Sequence, residues 1–153
     1  MDITGVLKKE FVIAKLKSKT RLEVLTELSK VFLKSDITVG YDEMVEVLLE
    51  REKLGSTGIG DGIAIPHGKL AGLDDIIVSF GRSKDGIDFD SMDGRPVHIF
   101  FLLMAPENSA GHHLKALAKI SRMLKDNSFR TELMLAKSAD DLYRIIREKD
   151  KTC

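Results

Sequence analysis

The chain has 153 residues, 43% of them hydrophobic and 31% charged, and its 24 basic and 24 acidic side chains cancel to a formal net charge of zero. That is the size and balance of one soluble globular domain with room for a real core, and the neutral balance argues against a broad nucleic-acid surface. The one cysteine, Cys153, excludes an internal disulfide framework, fits a reducing compartment, and stands too near the end to form a prenylation box. The N-terminus lacks the basic and apolar regions of a signal peptide, and no apolar run approaches a membrane span. A cytoplasmic protein without direct membrane insertion is expected.

In chain order, residues 10–16 read as a first strand. Thr20 then has the character of an N-cap, and Leu22, Leu25, Leu28, Val31 and Phe32 follow at helical spacing, with the helix ending near Ser35 and Asp36. A second helix is expected over 41–53, burying Met44, Val45, Val47, Leu48 and Leu49. Arg51 and Lys53 suit its C-terminal dipole, and Gly55 closes it. Three strands follow, at 63–65, 76–80 and 97–104, the last apolar enough to be a central strand covered on both faces. Between the second and third, Ile87 and Phe89 alternate with acids as a short edge strand. Helices are expected over 110–125, 128–136 and 139–148. No repeat, low-complexity tract or linker divides the chain. The fold class is therefore α/β, a single domain over 1–153 with a mixed sheet flanked by helices.

The most informative stretch is Gly58-Ile59-Gly60-Asp61-Gly62-Ile63-Ala64-Ile65-Pro66-His67-Gly68. Proline cannot donate a ladder hydrogen bond, so sheet pairing is expected to stop at Pro66. Gly68 lets the backbone turn without crowding the ring. The result is an imidazole held stiffly at a strand end, suited to a nucleophile or a ligand. A histidine beside a turn is more often a plain surface or capping residue; the glycine density raises the functional reading, since it is tolerated where a backbone must approach something closely or where a long loop simply needs to turn.

Two common motifs fail. Nucleotide-binding loops run strand, glycine loop, helix, whereas this order is helix, glycine loop, strand, and Gly68-Lys69 is followed by Leu70 rather than by a hydroxyl residue. The four histidines, His67, His98, His112 and His113, offer no i, i+4 pair and no second cysteine for zinc. A nucleotide cradle is not expected, and metal binding has only weak support. His112 and His113 point about 100° apart on one helix. His113 continues the stripe of Leu117, Ile120 and Leu124 toward the helix start, while His112 falls on the line of Ala116 and Lys119, nearer solvent. His113 is either a satisfied, half-buried imidazole or a donor to a phosphoryl oxygen at a helix N-terminus. His98, inside the most apolar strand, reads as structural.

Glu52, six residues, Ile59-Gly60, two residues, then Ile63-Ala64-Ile65-Pro66-His67-Gly68 resembles the signature of enzyme IIA domains of the mannitol/fructose class in the bacterial phosphoenolpyruvate-dependent phosphotransferase system. The run from Arg51 to Leu70 and the segment Phe89 to Val97 are most similar to the nitrogen-regulatory branch. The resemblance implies that His67 is the phosphoacceptor, modified on Nε2, that His113 is the second active-site histidine, and that Arg51 is the active-site arginine, whose planar fork suits phosphate. Thr57 and Gly68 are further candidates for phosphate contact. It also implies a phosphorylated histidine-containing carrier protein as donor, an enzyme IIB or a regulated target as acceptor, and no cofactor or metal. Three readings stand: a nitrogen-type regulatory phosphocarrier, a sugar-transport enzyme IIA that donates to a cysteine of enzyme IIB, and a binding module that is never phosphorylated.

Overall fold

The computed structural model describes residues 2–153. In chain order it has a 3₁₀ turn (Lys9–Phe11), β1 (Val12–Ile13), α1 (Arg21–Lys30), a second 3₁₀ turn (Val31–Lys34) and α2 (Tyr41–Lys53). Strands β2 (Gly58–Gly60), β3 (Ile63–Ala64), β4 (His67–Leu70), β5 (Ile77–Ile87) and β6 (Val97–Pro106) follow. Helices α3 (Ala110–Leu124), α4 (Asn127–Leu135) and α5 (Ala139–Thr152) complete it. The sheet runs β1-β5-β6-β3-β2, with β4 also on β6.

Strand β6 is the axis, as its apolar sequence requires. Every residue from Ile99 to Pro106 is buried. β5 pairs with it antiparallel along one edge, and β3 and β4 pair with it in parallel along the other. The register is the same across the proline: Ile63 faces Ile99, Ala64 faces Phe100, and His67 faces Leu103. This corrects the expectation that pairing stops at Pro66. Proline lacks the N–H but keeps its carbonyl, which accepts from Leu103 N at 2.9 Å. His67 therefore opens a second strand segment instead of ending the first.

The two faces of the sheet carry different helices. Ser79 Oγ donates to the Leu28 carbonyl of α1, and Arg82, on the other face of β5, donates to the Leu133 carbonyl of α4. A Cβ built on Gly68 would lie 2.7 Å from Val47 Cγ1 of α2. Gly68 has no left-handed φ, so it is a glycine because helix and strand touch there, not because the chain turns. Alternation then sends His67 to the opposite face, where α3 runs.

Other expectations need correction. The strand expected at 10–16 is two residues long, because Phe11 and Val12 are consecutive and both buried. The 3₁₀ turn lets Phe11 pack edge-on against Phe32, with ring centroids 4.9 Å apart. Thr20 caps α1 in a full capping box with Glu23, but Leu22 is 53% exposed and the buried face is Val24, Leu25 and Leu28. Strand β5 runs on to Ile87 past a register shift, so Ile87 belongs to it, while Phe89 packs on Phe100 outside any strand. The strand β2 inside the glycine loop was not expected. On α3, Ala116 and Lys119 are buried, because the end of α5 covers them: Lys119 Nζ reaches the Asp150 carbonyl at 3.0 Å and its carboxylate at 3.3 Å.

Gly68→Ala is expected to cost about 1–3 kcal/mol, the usual range for an overpacked core methyl. Val47→Ala in the same chain should recover part of that loss. Urea unfolding of the two variants checks this, and an undiminished Gly68→Ala would mean that α2 does not pin the start of β4.

Candidate functional site

His67 is fixed by the backbone around it. Ile65 N–H is spent on the Thr57 carbonyl, on the β2 side, at 3.1 Å. The Thr57 N–H on that side goes to Glu52, and the Ile65 carbonyl accepts from His67 Nδ1 at 2.8 Å. A carbonyl only accepts, so Nδ1 carries the hydrogen and Nε2 keeps its lone pair. The ring is half-buried. Burial holds its pKa below the ordinary value of 6.5, the hydrogen bond to Ile65 acts in the opposite sense, and the nearby Arg51 charge lowers it further.

His113 stands opposite. Its ring centroid is 5.6 Å from that of His67, with the planes tilted by 58°. It is 8% exposed, and its Nδ1 is buried with no hydrogen-bond partner among the described residues. Burial again lowers the pKa, followed by repulsion from His67 and Lys69. His112 is exposed. The helical-face reading thus selects the histidine that meets His67, and His98 is structural as expected, with Nδ1 at 2.9 Å from the Ser83 carbonyl.

The last turn of α2 supplies the charged groups. Gly55, at φ 142°, closes the helix with its N–H on the Glu52 carbonyl, and Arg51 Nη1 donates to the Gly55 carbonyl at 2.8 Å. That bond holds the guanidinium over the loop. Glu52 is buried, and its carboxylate accepts from Thr57 N–H at 3.0 Å and from the Thr57 hydroxyl at 2.5 Å. The Thr57 hydroxyl hydrogen is therefore committed to Glu52, and Thr57 acts as the anchor that ties the glycine loop to α2. Gly68 sits beside His67 in the strand, packed under Val47.

Glu52 is the site residue that sequence reasoning missed as a functional group. It lies four residues after Leu48 on the buried face of α2, so an acid on an apolar stripe was the available signal. Exposed apolar side chains ring these elements. Leu54 follows the helix end, Leu114 follows His113, Ile59 lies on β2, and Met92 N–H is bonded to the Gly58 carbonyl of β2. Among the described residues no three His, Cys, Asp or Glu side chains are placed to hold a metal ion, and no helix is long and apolar enough to cross a membrane.

The model of the family described as phosphoenolpyruvate-dependent sugar phosphotransferase system, EIIA 2, matches residues 5–149. The chain belongs to this EIIA 2 family. EIIA 2 proteins are phosphotransfer components, and the relatives divide into two kinds. The nitrogen regulatory protein of Bradyrhizobium diazoefficiens is 43% identical over 95% of both chains. The fructose-specific EIIABC component of Bacillus subtilis is 39% identical over 99% of this chain, which spans 24% of that longer protein. Among solved structures, nitrogen regulatory protein IIA-Ntr of Neisseria meningitidis superposes with a TM-score of 0.88 at 33% identity, covering 94% of this chain and 98% of that one. Mannitol enzyme IIA of Escherichia coli, solved in complex with phosphorylated mannitol enzyme IIB, shares the fold, with a TM-score of 0.76 at 22% identity, covering 93% of this chain and 99% of that one.

Both site rings are expected to be neutral at pH 7. With folded pKa values below 6.5, each ring should gain its proton only as the pH falls under that value. Ring-proton NMR titration of the folded chain checks this. A midpoint at or above 6.5 for His67 would mean that burial does not govern it.

Proposed function

We propose that this chain is a phosphocarrier whose His67 Nε2 accepts a phosphoryl group from the phosphohistidine of a small carrier protein. The observation that carries this reading is the tautomer set by Ile65: Nδ1 is tied up at 2.8 Å and Nε2 is the free nucleophile. The Nε2 lone pair forms the new N–P bond as the N–P bond of the donor breaks, and the donor ring nitrogen keeps that electron pair. No proton has to move at His67. Its ring becomes a phosphorylated cation that retains the Nδ1 hydrogen, and the Ile65 carbonyl stabilises that charge. The protein's contribution is positioning and charge stabilisation.

Arg51 supplies a fixed positive charge for the phosphoryl oxygens. His113 offers a buried ring across from His67. Thr57 and Gly68 serve the phosphate by holding the loop and the strand start in place. The exposed Leu54, Ile59, Met92 and Leu114 form an apolar rim suited to a protein-sized donor or acceptor.

The role of the phosphorylated chain is regulatory: the phosphate changes which partners bind. Support for this comes from the 43% identity to a nitrogen regulatory protein across 95% of both chains. A second reading, donation to a cysteine of a sugar-transport enzyme IIB, has its own support in the 39% identity to a fructose-specific protein. Presenting the phosphorylated chain with candidate enzyme IIB domains separates the two, since only the second expects transfer to cysteine.

His67→Ala should abolish acid-labile phosphorylation by the phosphorylated carrier with the fold intact. His113→Ala should still accept phosphate, slowly. Arg51→Ala should cost about 2–4 kcal/mol of transition-state stabilisation, and Arg51→Lys should restore part of it. Rapid-quench labelling with intact-mass detection measures all four, and persistent labelling of His67→Ala would sink the assignment.

A further inference from the structure

Strand β5 carries a second unusual group. Arg82 is 7% exposed, yet no carboxylate lies within 4 Å of its guanidinium among the described residues. Its Nε donates to the Ala14 carbonyl at 3.1 Å, and its Nη1 donates to the carbonyls of Leu133 and Ala136 at the end of α4. Those bonds explain two of its three nitrogens. Nη2 has no protein acceptor among the described residues and is not sealed from solvent. Burial lowers the pKa of the guanidinium with no acid to offset it.

Arg82 lines a cleft of about 690 Å³ between the β1–α1 connection, the end of β5 and the α4–α5 junction. Four lysines line it too: Lys15 and Lys19 from the connection, Lys84 from β5, and Lys137 from the junction. Asp85 is the one acid in the lining, at 3.9 Å from Lys19. Five cations from three separate segments thus face one carboxylate, in a chain whose net charge is zero. Capping of the α4 end by Arg82 leaves Nη2 unused and does not account for four lysines along the same cleft. The cleft also has an apolar side, with Leu16, Met134 and the 74%-exposed Leu135. Its size is that of a small-molecule site.

We propose that this cleft binds a small phosphorylated organic anion of nucleotide size, its phosphates on Arg82 Nη2 and the lysines and its apolar part against Leu135. The site is separate from His67. Arg82 pairs with Ile99 and His67 with Leu103, on opposite edges of β6 and about 13 Å apart along it. The proposal does not rest on the phosphocarrier reading, and either can fail alone.

Amide NMR titration of the full chain at 150 mM salt tests it, with a nucleoside triphosphate and inorganic tripolyphosphate as separate probes. The nucleotide should give saturable shifts at residues 14–19, 82–86 and 134–137, and tripolyphosphate should bind several-fold more weakly. Lys84→Glu combined with Lys137→Glu should weaken nucleotide binding at least tenfold while leaving the circular dichroism spectrum and phosphorylation of His67 unchanged. Absence of saturable shifts in the cleft, or shifts indifferent to the charge reversals, would overturn the site. Equal affinity for tripolyphosphate would overturn its assignment to an organic anion.

Discussion

The Ile65 carbonyl, two residues before His67, receives the imidazole Nδ1–H at 2.8 Å, and most of the structure around it serves to keep that carbonyl available. β6 holds the register on both sides of Pro66, so that the chain enters β4 without a slip. Thr57, anchored by the buried carboxylate of Glu52, takes the Ile65 N–H and leaves its carbonyl unpaired by any strand. Gly68 gives Val47 of α2, the helix whose last turn carries Arg51 and Glu52, room to pack against β4. One local hydrogen bond thus sums a proline, a glycine, a buried acid and a central strand.

The electrostatics follow from that arrangement. Burial disfavours protonation of both imidazoles, which lie 5.6 Å apart; repulsion from His67 adds to the effect at His113, and Arg51 adds to it at His67. Neutral rings suit a nucleophile, and the positive charge that the proposed phosphorylation would place on His67 would be met by a carbonyl already in place. A phosphoryl group adds about two negative charges beside a guanidinium and an apolar rim. Such a change favours partners that offer arginines and disfavours those that press apolar or acidic groups against the site, with no need to refold the sheet.

Much of this was legible in the residues. The apolar run at 97–104 announced the central strand. Helical spacing placed His113, not His112, on the inward side of α3, and the similarity carried by Ile63 to Gly68 singled out His67, the phosphoacceptor we propose. The features that escaped depend on distant partners. Pairing through Pro66 requires knowing that Leu103 lies alongside. The role of Gly68 requires knowing that Val47 lies above it. Lys119 reads as a surface cation until α5 is seen to cover it. Glu52 lay within reach, as an acid on a buried stripe, but its partner Thr57 is set by the loop that follows the helix.

The central claim is that His67 holds its hydrogen on Nδ1 and offers Nε2. Long-range proton–nitrogen correlation of the His67 ring, recorded before and after phosphorylation by the carrier, tests it most directly. The expected result is an Nδ1–H tautomer in the free chain and a phosphorus-coupled Nε2 in the product, with Nδ1 still protonated. An Nε2–H tautomer, or phosphorus on Nδ1, would contradict it.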